Sequence, residues 1–315
     1  MEVINYKNSD FNFVCIMYFM IEEKINTINI SNKKNFSYLL ELPNILLLAL
    51  ILINIMSIIG YATFSLNTAL LAKNPTINVI FSYSYYFFSR TQIIIAFLSL
   101  CLLLYKKTKL LWIKEFAFVF TISLLMEFLG TTFGIPFGKY EYTDLLGLKL
   151  FSKVPLLIPI SWFFMGLSSY CISLKLQEKI VFKYKIFSSI FNIIFASVFL
   201  TTWDVTLDPA MSNLTPFWLW EEHNSLTYYG TPVINFAGWV LTSIFIIMGF
   251  EFFNTKKLLD KYMINWNIIF YMANLSLPVG LVICSGLFFP VFLTSSIFLI
   301  MYSVSFLLSE KKIIK

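Results

Sequence analysis

From Pro43 onward the chain alternates long apolar runs with short polar joints. A helix needs about 20 apolar residues to cross the roughly 30 Å hydrocarbon layer of a bilayer. Eight runs have that length: Asn44 to Phe64, Tyr83 to Tyr105, Trp112 to Phe133, Val154 to Leu174, Tyr184 to Trp203, Pro232 to Phe253, Ile264 to Cys284 and Leu287 to Leu308. The pattern predicts an all-α, polytopic transmembrane helix bundle of about eight spans. Two boundaries are soft. Arg90 lies inside the second run, where it either snorkels or marks a later start, so a count of seven stays open; Ser285 and Gly286 alone part the last two runs.

No soluble domain fits between these segments. Residues 43–308 read as one transmembrane helical domain and residues 309–315 as a basic cytoplasmic tail. Residues 1–42, rich in Asn, Lys and Ile, read as a poorly ordered and dispensable cytoplasmic extension, with Met17 and Met20 as alternative starts. Its apolar stretch, Phe13 to Ile21, is too short to span as a helix. Glu22, Glu23 and Lys24 follow it where a secretory signal would place a small-residue cleavage site.

Composition agrees. Hydrophobic residues make up 58% of the chain and charged ones 13%, with a mean hydropathy of +0.78, whereas a soluble domain is about one quarter charged. A water-soluble fold is excluded. The net charge of +6 does not point to nucleic acid, because Arg90 is the single arginine among 23 basic residues and phosphate readers favour the arginine fork. Membrane orientation explains the lysines better. Lys106, Lys107, Lys109, Lys114, Lys175, Lys179, Lys183, Lys185, Lys256, Lys257, Lys261, Lys311, Lys312 and Lys315 fall on one side of an eight-span bundle; Lys73, Lys139, Lys149 and Lys153 fall on the other. The expectation is an integral protein of the cell (inner) membrane with both termini cytoplasmic. Cys15, Cys101, Cys171 and Cys284 are scattered singly and read as small apolar fillers.

Candidate chemistry gathers on the lysine-poor side, in the segments Gly134 to Lys153 and Asp204 to Thr231. Glu127 lies inside the third run, followed by Gly130, Gly134, Pro136, Phe137, Gly138, Tyr140, Glu141, Tyr142 and Asp144. An ionised carboxyl at that depth costs roughly 2.5–3.5 kcal/mol, so Glu127 is expected to be protonated, paired or facing a cavity. The plain alternative is a structural hydrogen bond between helices. Glycines and a proline directly behind it favour irregular backbone, which membranes tolerate only where it lines protein or a cavity.

Asp204 and Asp208 end the fifth run with i, i+4 spacing, which on a helix puts both on one face, close enough to share a proton, a water or a metal. Pro209 is expected to discourage further helix; the bland alternative is a cap and turn at the membrane surface. A third group comprises Trp218, Trp220, Glu221, Glu222 and His223, then Tyr228, Tyr229, Gly230, Pro232, Asn235, Phe236, Gly238 and Trp239. The tryptophans can be an interfacial belt, but Asn235 inside a span must find a hydrogen-bond partner. A single histidine with loose acids makes a poor zinc or iron site, so no metal and no cofactor is expected. Pro155 precedes Trp162 by the same spacing as Pro232 precedes Trp239, a faint internal echo that would make the two hairpins a repeat.

In order along the chain stand Glu127-Phe128, Gly134-Ile135-Pro136-Phe137-Gly138-Lys139-Tyr140-Glu141-Tyr142, Val154-Pro155 with Ile158-Pro159 and Trp162, and Trp203-Asp204 with Asp208-Pro209 and Met211. Trp218 with Trp220, and Tyr228-Tyr229-Gly230-Thr231-Pro232 with Asn235-Phe236 and Gly238-Trp239, complete the set. From about Leu111 to Phe253 this set resembles the carotenoid biosynthesis membrane proteins that include the carotenoid 1′,2′-hydratases. The resemblance implies a helical bundle that adds water across the terminal double bond of an acyclic carotenoid end group, of the γ-carotene or bisanhydrobacterioruberin type. It implies a carotenoid substrate taken from the bilayer and other carotenoid enzymes as partners. The acidic segment between Trp220 and Tyr228 departs from the family in lacking a glycine before the paired tyrosines, which leaves the substrate open.

Hydrating an isolated alkene needs a positioned acid, a means of stabilising the tertiary cation and a guided water. On that chemistry Asp204 or Glu127 is the acid and Asp208 the base toward water. Trp203, Tyr140, Tyr142 and Tyr229 form a cation-stabilising wall, and Phe137, Trp162, Tyr228, Asn235 and Trp239 complete the substrate contacts. Two rivals are an intramembrane prenyltransferase, with Asp204 and Asp208 holding magnesium and a diphosphate, and a transporter or non-catalytic scaffold built around the intramembrane charge.

Overall fold

A computed structural model of the chain describes residues 41–221 and 226–310; residues 1–40 of the N-terminal extension, Glu222, His223 and the three terminal lysines lie outside them. Among the described residues eight helices are long and apolar enough to cross a membrane, the number read from the hydropathy pattern. They are α1 (Leu42–Gly60, prolonged by a π-turn, Tyr61–Ser65), α3 (Pro75–Thr108), α4 (Ile113–Phe133), α5 (Leu157–Gln177), α6 (Lys185–Asp208), α7 (Ile234–Phe252), α8 (Lys261–Cys284) and α9 (Phe288–Glu310), with a short α2 (Thr68–Lys73) between the first two.

Local chemistry sets the ends. The second span begins well before the expected Tyr83, because Asn74 caps it by accepting from the Ile77 amide at 3.3 Å and Pro75 opens it, where a missing N–H costs nothing. At the foot of α4, Gly134 takes a left-handed φ of 74°, the usual helix stop. Asp260 caps α8 at the Met263 amide, 2.8 Å away, and Gly286, with φ 75°, parts α8 from α9.

One expectation is corrected. Pro209 does not end the fifth span: the chain continues as a π-turn over Pro209–Leu214. Pro209 keeps helical angles, φ −55° and ψ −38°, and the Ser212 hydroxyl donates to the Asp208 carbonyl at 2.8 Å. The wider π register carries the helix on past the proline.

Helix α5 is the centre of the bundle, buried along nearly its whole length, with α3, α4, α6 and α8 packed around it. Leu48, Met56, Phe87, Ile94, Met248, Phe252 and Phe292 project from the outer faces of α1, α3, α7 and α9, as expected where the surrounding medium is lipid.

On the lysine-poor side the loops fold into three two-stranded antiparallel pairs. Strand β1 (Tyr140–Tyr142) pairs with β4 (Trp218–Trp220) in the register Tyr140 to Trp220, Glu141 to Leu219, Tyr142 to Trp218. Period-two alternation sends Glu141 and Leu219 outward and turns Tyr140, Tyr142 and Trp218 into the protein. Pairs β2–β3 (Lys149–Leu150, Val154–Pro155) and β5–β6 (Thr227–Tyr228, Thr231–Pro232) lead into α5 and α7. Arg90 neither ends the second span nor snorkels to water alone: its Nε and Nη2 donate to the carbonyls of Leu145 and Asp144 at 2.9 and 3.0 Å. Gly147 lets it through, since a Cβ there would sit 3.2 Å from the guanidinium.

Candidate functional site

Glu127 stands on the inward face of α4, 4% exposed, with donors on both carboxyl oxygens. Trp162 of α5 donates its indole N–H to Oε1 at 2.8 Å. Tyr142 donates to Oε2 at 2.7 Å and Tyr140 donates to the same oxygen. Two glycines make this convergence possible. A Cβ at Gly130 would lie 2.8 Å from the Phe137 ring, and one at Gly238 would lie 2.5 Å from the other side of that ring. Phe137 is thus wedged between α4 and α7, and β1 hangs from it over Glu127. Burial first, and then the neighbouring Glu127 charge, hold the Tyr140 and Tyr142 phenols well above the ordinary tyrosine range.

Asp204 and Asp208 share one face of α6, as their spacing predicts, and both are buried. They meet at a single amide: the Asn235 Nδ2 at the start of α7 donates to Asp204 Oδ2 at 2.8 Å and also to Asp208 Oδ2. Asp208 Oδ1 accepts from the Trp218 indole at 2.9 Å. Asp204 Oδ1, by contrast, is buried with no hydrogen-bond partner among the described residues.

Both acidic groups border one cavity of about 1340 Å³, counting its open mouth. Glu127, Asp204, Asp208, Asn235, Phe137, Tyr140, Tyr142, Trp162, Trp203 and Trp239 all line it. Aromatic faces dominate the wall: Trp162 and Trp239 stack at 4.1 Å, Trp203 meets Trp239 edge-on at 6.0 Å, and Tyr140 lies 4.8 Å from Trp220. The indole N–H groups of Trp203 and Trp220 are buried without acceptors among the described residues. Among the described residues no lysine or arginine lines the cavity, and no group of three or more His, Cys, Asp or Glu is disposed to hold a metal.

The faint echo in the sequence has a structural counterpart. A shift of 77 residues carries Glu127 onto Asp204, Thr131 onto Asp208, Pro155 onto Pro232 and Trp162 onto Trp239. It also carries the start of α5, Leu157, onto the start of α7, Ile234. Each half is a span bearing an acid, a strand, a small β pair and a returning span opened by a tryptophan. The β1–β4 ladder and the stacked tryptophans join the halves.

Two of the expected substrate contacts lie elsewhere. Tyr228 and Tyr229 do not line the cavity; Tyr229 takes a positive φ in the β5–β6 turn, and Tyr228 packs against Tyr229, Phe236 and Phe289. Trp218 is not a belt residue, since it is buried and bonded to Asp208. Glu222 and His223 fall outside the described residues. Sequence reasoning missed the far arm of the cavity, lined by Tyr61, Tyr85, Gln92 and Asn274. The one available signal was polarity: Gln92 and Asn274 are amides inside spans, bonded to each other at 3.3 Å.

Comparisons with known proteins agree with this picture. A family model described as carotenoid biosynthesis protein matches residues 88–301. A curated protein, the bisanhydrobacterioruberin hydratase of Haloarcula japonica, is 28% identical over 127 residues, which span 40% of this chain and 40% of that protein. No solved structure matches.

Proposed function

The chain belongs to the carotenoid biosynthesis protein family, and from that premise we propose that it hydrates the terminal C=C bond of an acyclic carotenoid end group within the cell membrane, its lysine-rich face cytoplasmic. The observation that carries this reading is an asymmetry among three buried carboxyls. Glu127 and Asp208 accept hydrogen bonds on both oxygens, while Asp204 Oδ1 has no partner among the described residues. A carboxyl saturated with donors is stabilised as the anion; a carboxyl with a free oxygen beside an anion is the place for a proton. Asp204 is therefore the acid, Asp208 the base, and Glu127 a carboxyl held in place by Trp162, Tyr140 and Tyr142.

The step balances without redox chemistry. Asp204 gives its proton to the less substituted alkene carbon, whose π electrons form the new C–H bond and leave a tertiary cation. A water closes its lone pair on that cation, and Asp208 takes the proton the water sheds. Transfer between the two carboxyls at Asn235 restores Asp204. The rings of Trp203, Trp239 and Tyr140 offer faces to the cation, each contributing about 2 kcal/mol or more when desolvated.

The name of the Haloarcula relative supports a hydratase of this kind, and the cavity wall disfavours the prenyltransferase, whose diphosphate would meet acids and no lysine or arginine. The test is expression in cells that accumulate an acyclic carotenoid, with mass spectrometry for a gain of one water. Wild type yields the hydrate; Asp204→Asn lowers turnover by about 10²–10⁴. No hydrate from any acyclic end group overturns the proposal, and magnesium-dependent isoprenyl transfer by the purified protein would replace it with the prenyltransferase.

A further inference from the structure

The cavity is not confined to the carboxyls. From Asp204 and Asp208 it runs away between α1, α3 and α8, past Tyr85 and Leu277 to Gly60 and Met56. Met56 borders the cavity and is also 58% exposed on the outer face of α1, so the cavity reaches the flank of the bundle there. At 1.5 Å per residue Met56 lies about 21 Å from the start of its span, with about 13 Å still to run to Ser65. The mouth therefore opens at hydrocarbon depth and not in water.

The lining of this arm is made for an apolar chain. Ser57 and Ser89 spend their hydroxyls within their own helices, donating to the carbonyls of Ile53 and Tyr85 at 2.8 and 2.6 Å. The rim is held at two points of the π-turn, where Ser65 meets the Tyr85 hydroxyl at 2.7 Å and Tyr61 meets Ser285 at 2.8 Å. Such turns recur at functional sites because they re-aim side chains within a helix. At Gly60 a Cβ would meet nothing within 4 Å.

We infer that this arm is a lateral tunnel for the polyisoprenoid tail of the substrate, entered from the bilayer between α1 and α3, with Met56 and Gly60 at its mouth as determinants of tail length and bulk. This rests on the hydratase reading for the identity of the end group. It does not rest on that reading for the binding of the tail. The end group reaches the carboxyls while the rest of the chain lies along the arm and passes out into lipid beside Met56.

The experiment uses the full chain in nanodiscs, an acyclic C40 carotenoid, and a short isoprenoid with the same end group. Binding is followed by the visible absorbance of the retained carotenoid and conversion by the mass gain of one water. Gly60→Phe and Met56→Trp are expected to weaken binding of the long carotenoid about ten-fold, equivalent to about 1.4 kcal/mol, and to lower conversion of the long carotenoid more than that of the short isoprenoid. Should Gly60→Phe fail to elute as folded protein, Met56→Trp, on the lipid-facing side, decides alone. Bulky variants that bind the long carotenoid like wild type, or a wild type that does not bind it, overturn the tunnel. A wild type that binds it but makes no hydrate overturns the reaction and leaves the tunnel to be judged on binding.

Discussion

The indole rings of Trp162 and Trp239 stack with centroids 4.1 Å apart and planes 27° from parallel, and each opens the returning helix of one half of a repeated unit. Trp162 does a second task that Trp239 does not, since its N–H reaches Glu127. Trp162→Phe keeps an aromatic plane for the stack and deletes only that donor. It should lower stability by about 1–3 kcal/mol, the cost of leaving a buried acceptor without its donor, seen as a lower midpoint in thermal unfolding of the purified protein. Trp162→Ala, which also loses the stack, should unfold earlier still; a Trp162→Phe midpoint equal to wild type would argue against the donor mattering.

Asn235 is the junction of the two aspartates. Asn235→Leu removes an amide that both carboxyls share and leaves Asp208 with one donor. We expect turnover to fall by about 10² with the protein still folded, measured as hydrated product per unit of purified enzyme. Activity within a factor of three of wild type would show that the carboxyls work independently of this bridge.

Gly238 tolerates no side chain. Its Cβ would stand 2.5 Å from the Phe137 ring and 3.0 Å from the Pro136 backbone, so the helix, the loop or both must shift. Gly238→Val should cost about 1–3 kcal/mol by overpacking and should also disturb Glu127, because β1 is hung from Phe137. Gly60→Ala, into open space, is the comparison, and indistinguishable unfolding of the two variants would contradict this packing.

The phenols of Tyr140 and Tyr142 lie outside the spans, and burial, followed by the Glu127 charge, raises both. They should therefore remain protonated, and keep donating to Glu127, at pH values where free tyrosine ionises. The sign for stability follows. Above about pH 10 the unfolded chain releases these two protons while the folded chain keeps them, so the folded state binds more protons and unfolding becomes easier as pH rises. Ultraviolet titration should show the tyrosinate band of these two residues appearing only with unfolding, and its loss of dependence on unfolding in Tyr140→Phe with Tyr142→Phe. Early ionisation in the folded wild type would refute the arrangement.

Much of the architecture was legible in the residues. Long apolar runs are a strong signal because a bilayer demands uninterrupted internal hydrogen bonding, and the spacing of Asp204 to Asp208 stated their common face. Asn235 announced a partner by being an amide within a span. What escaped notice depended on contacts that no local pattern encodes. Trp218 looks the same in a sequence whether it sits in an interfacial belt or donates to Asp208, and the difference is made by a strand pairing across two spans. Tyr228 and Tyr229 sit close to Asn235 in sequence, yet at the β5–β6 turn Tyr228 packs against Phe236 and Phe289, and Tyr229 against Tyr228. The arm under Gly60 involves α1, α3 and α8, which carry hardly any motif; the amides of Gln92 and Asn274 are its one signal.

The ladder between β1 and β4 has a bearing on how the protein is made. Tyr140 and Tyr142 follow Glu127 closely in the chain, but the strand that carries them finds its partner, Trp218–Trp220, only after α5 and α6 have been synthesised and inserted. Chains emerge and fold from the N-terminus, so for that interval Glu127 is a carboxyl in a half-built bundle without the ladder that secures its tyrosines. Assembly of the acidic site is a late event of biogenesis, and chains cut after α5 should be recognised by membrane quality control as unfinished.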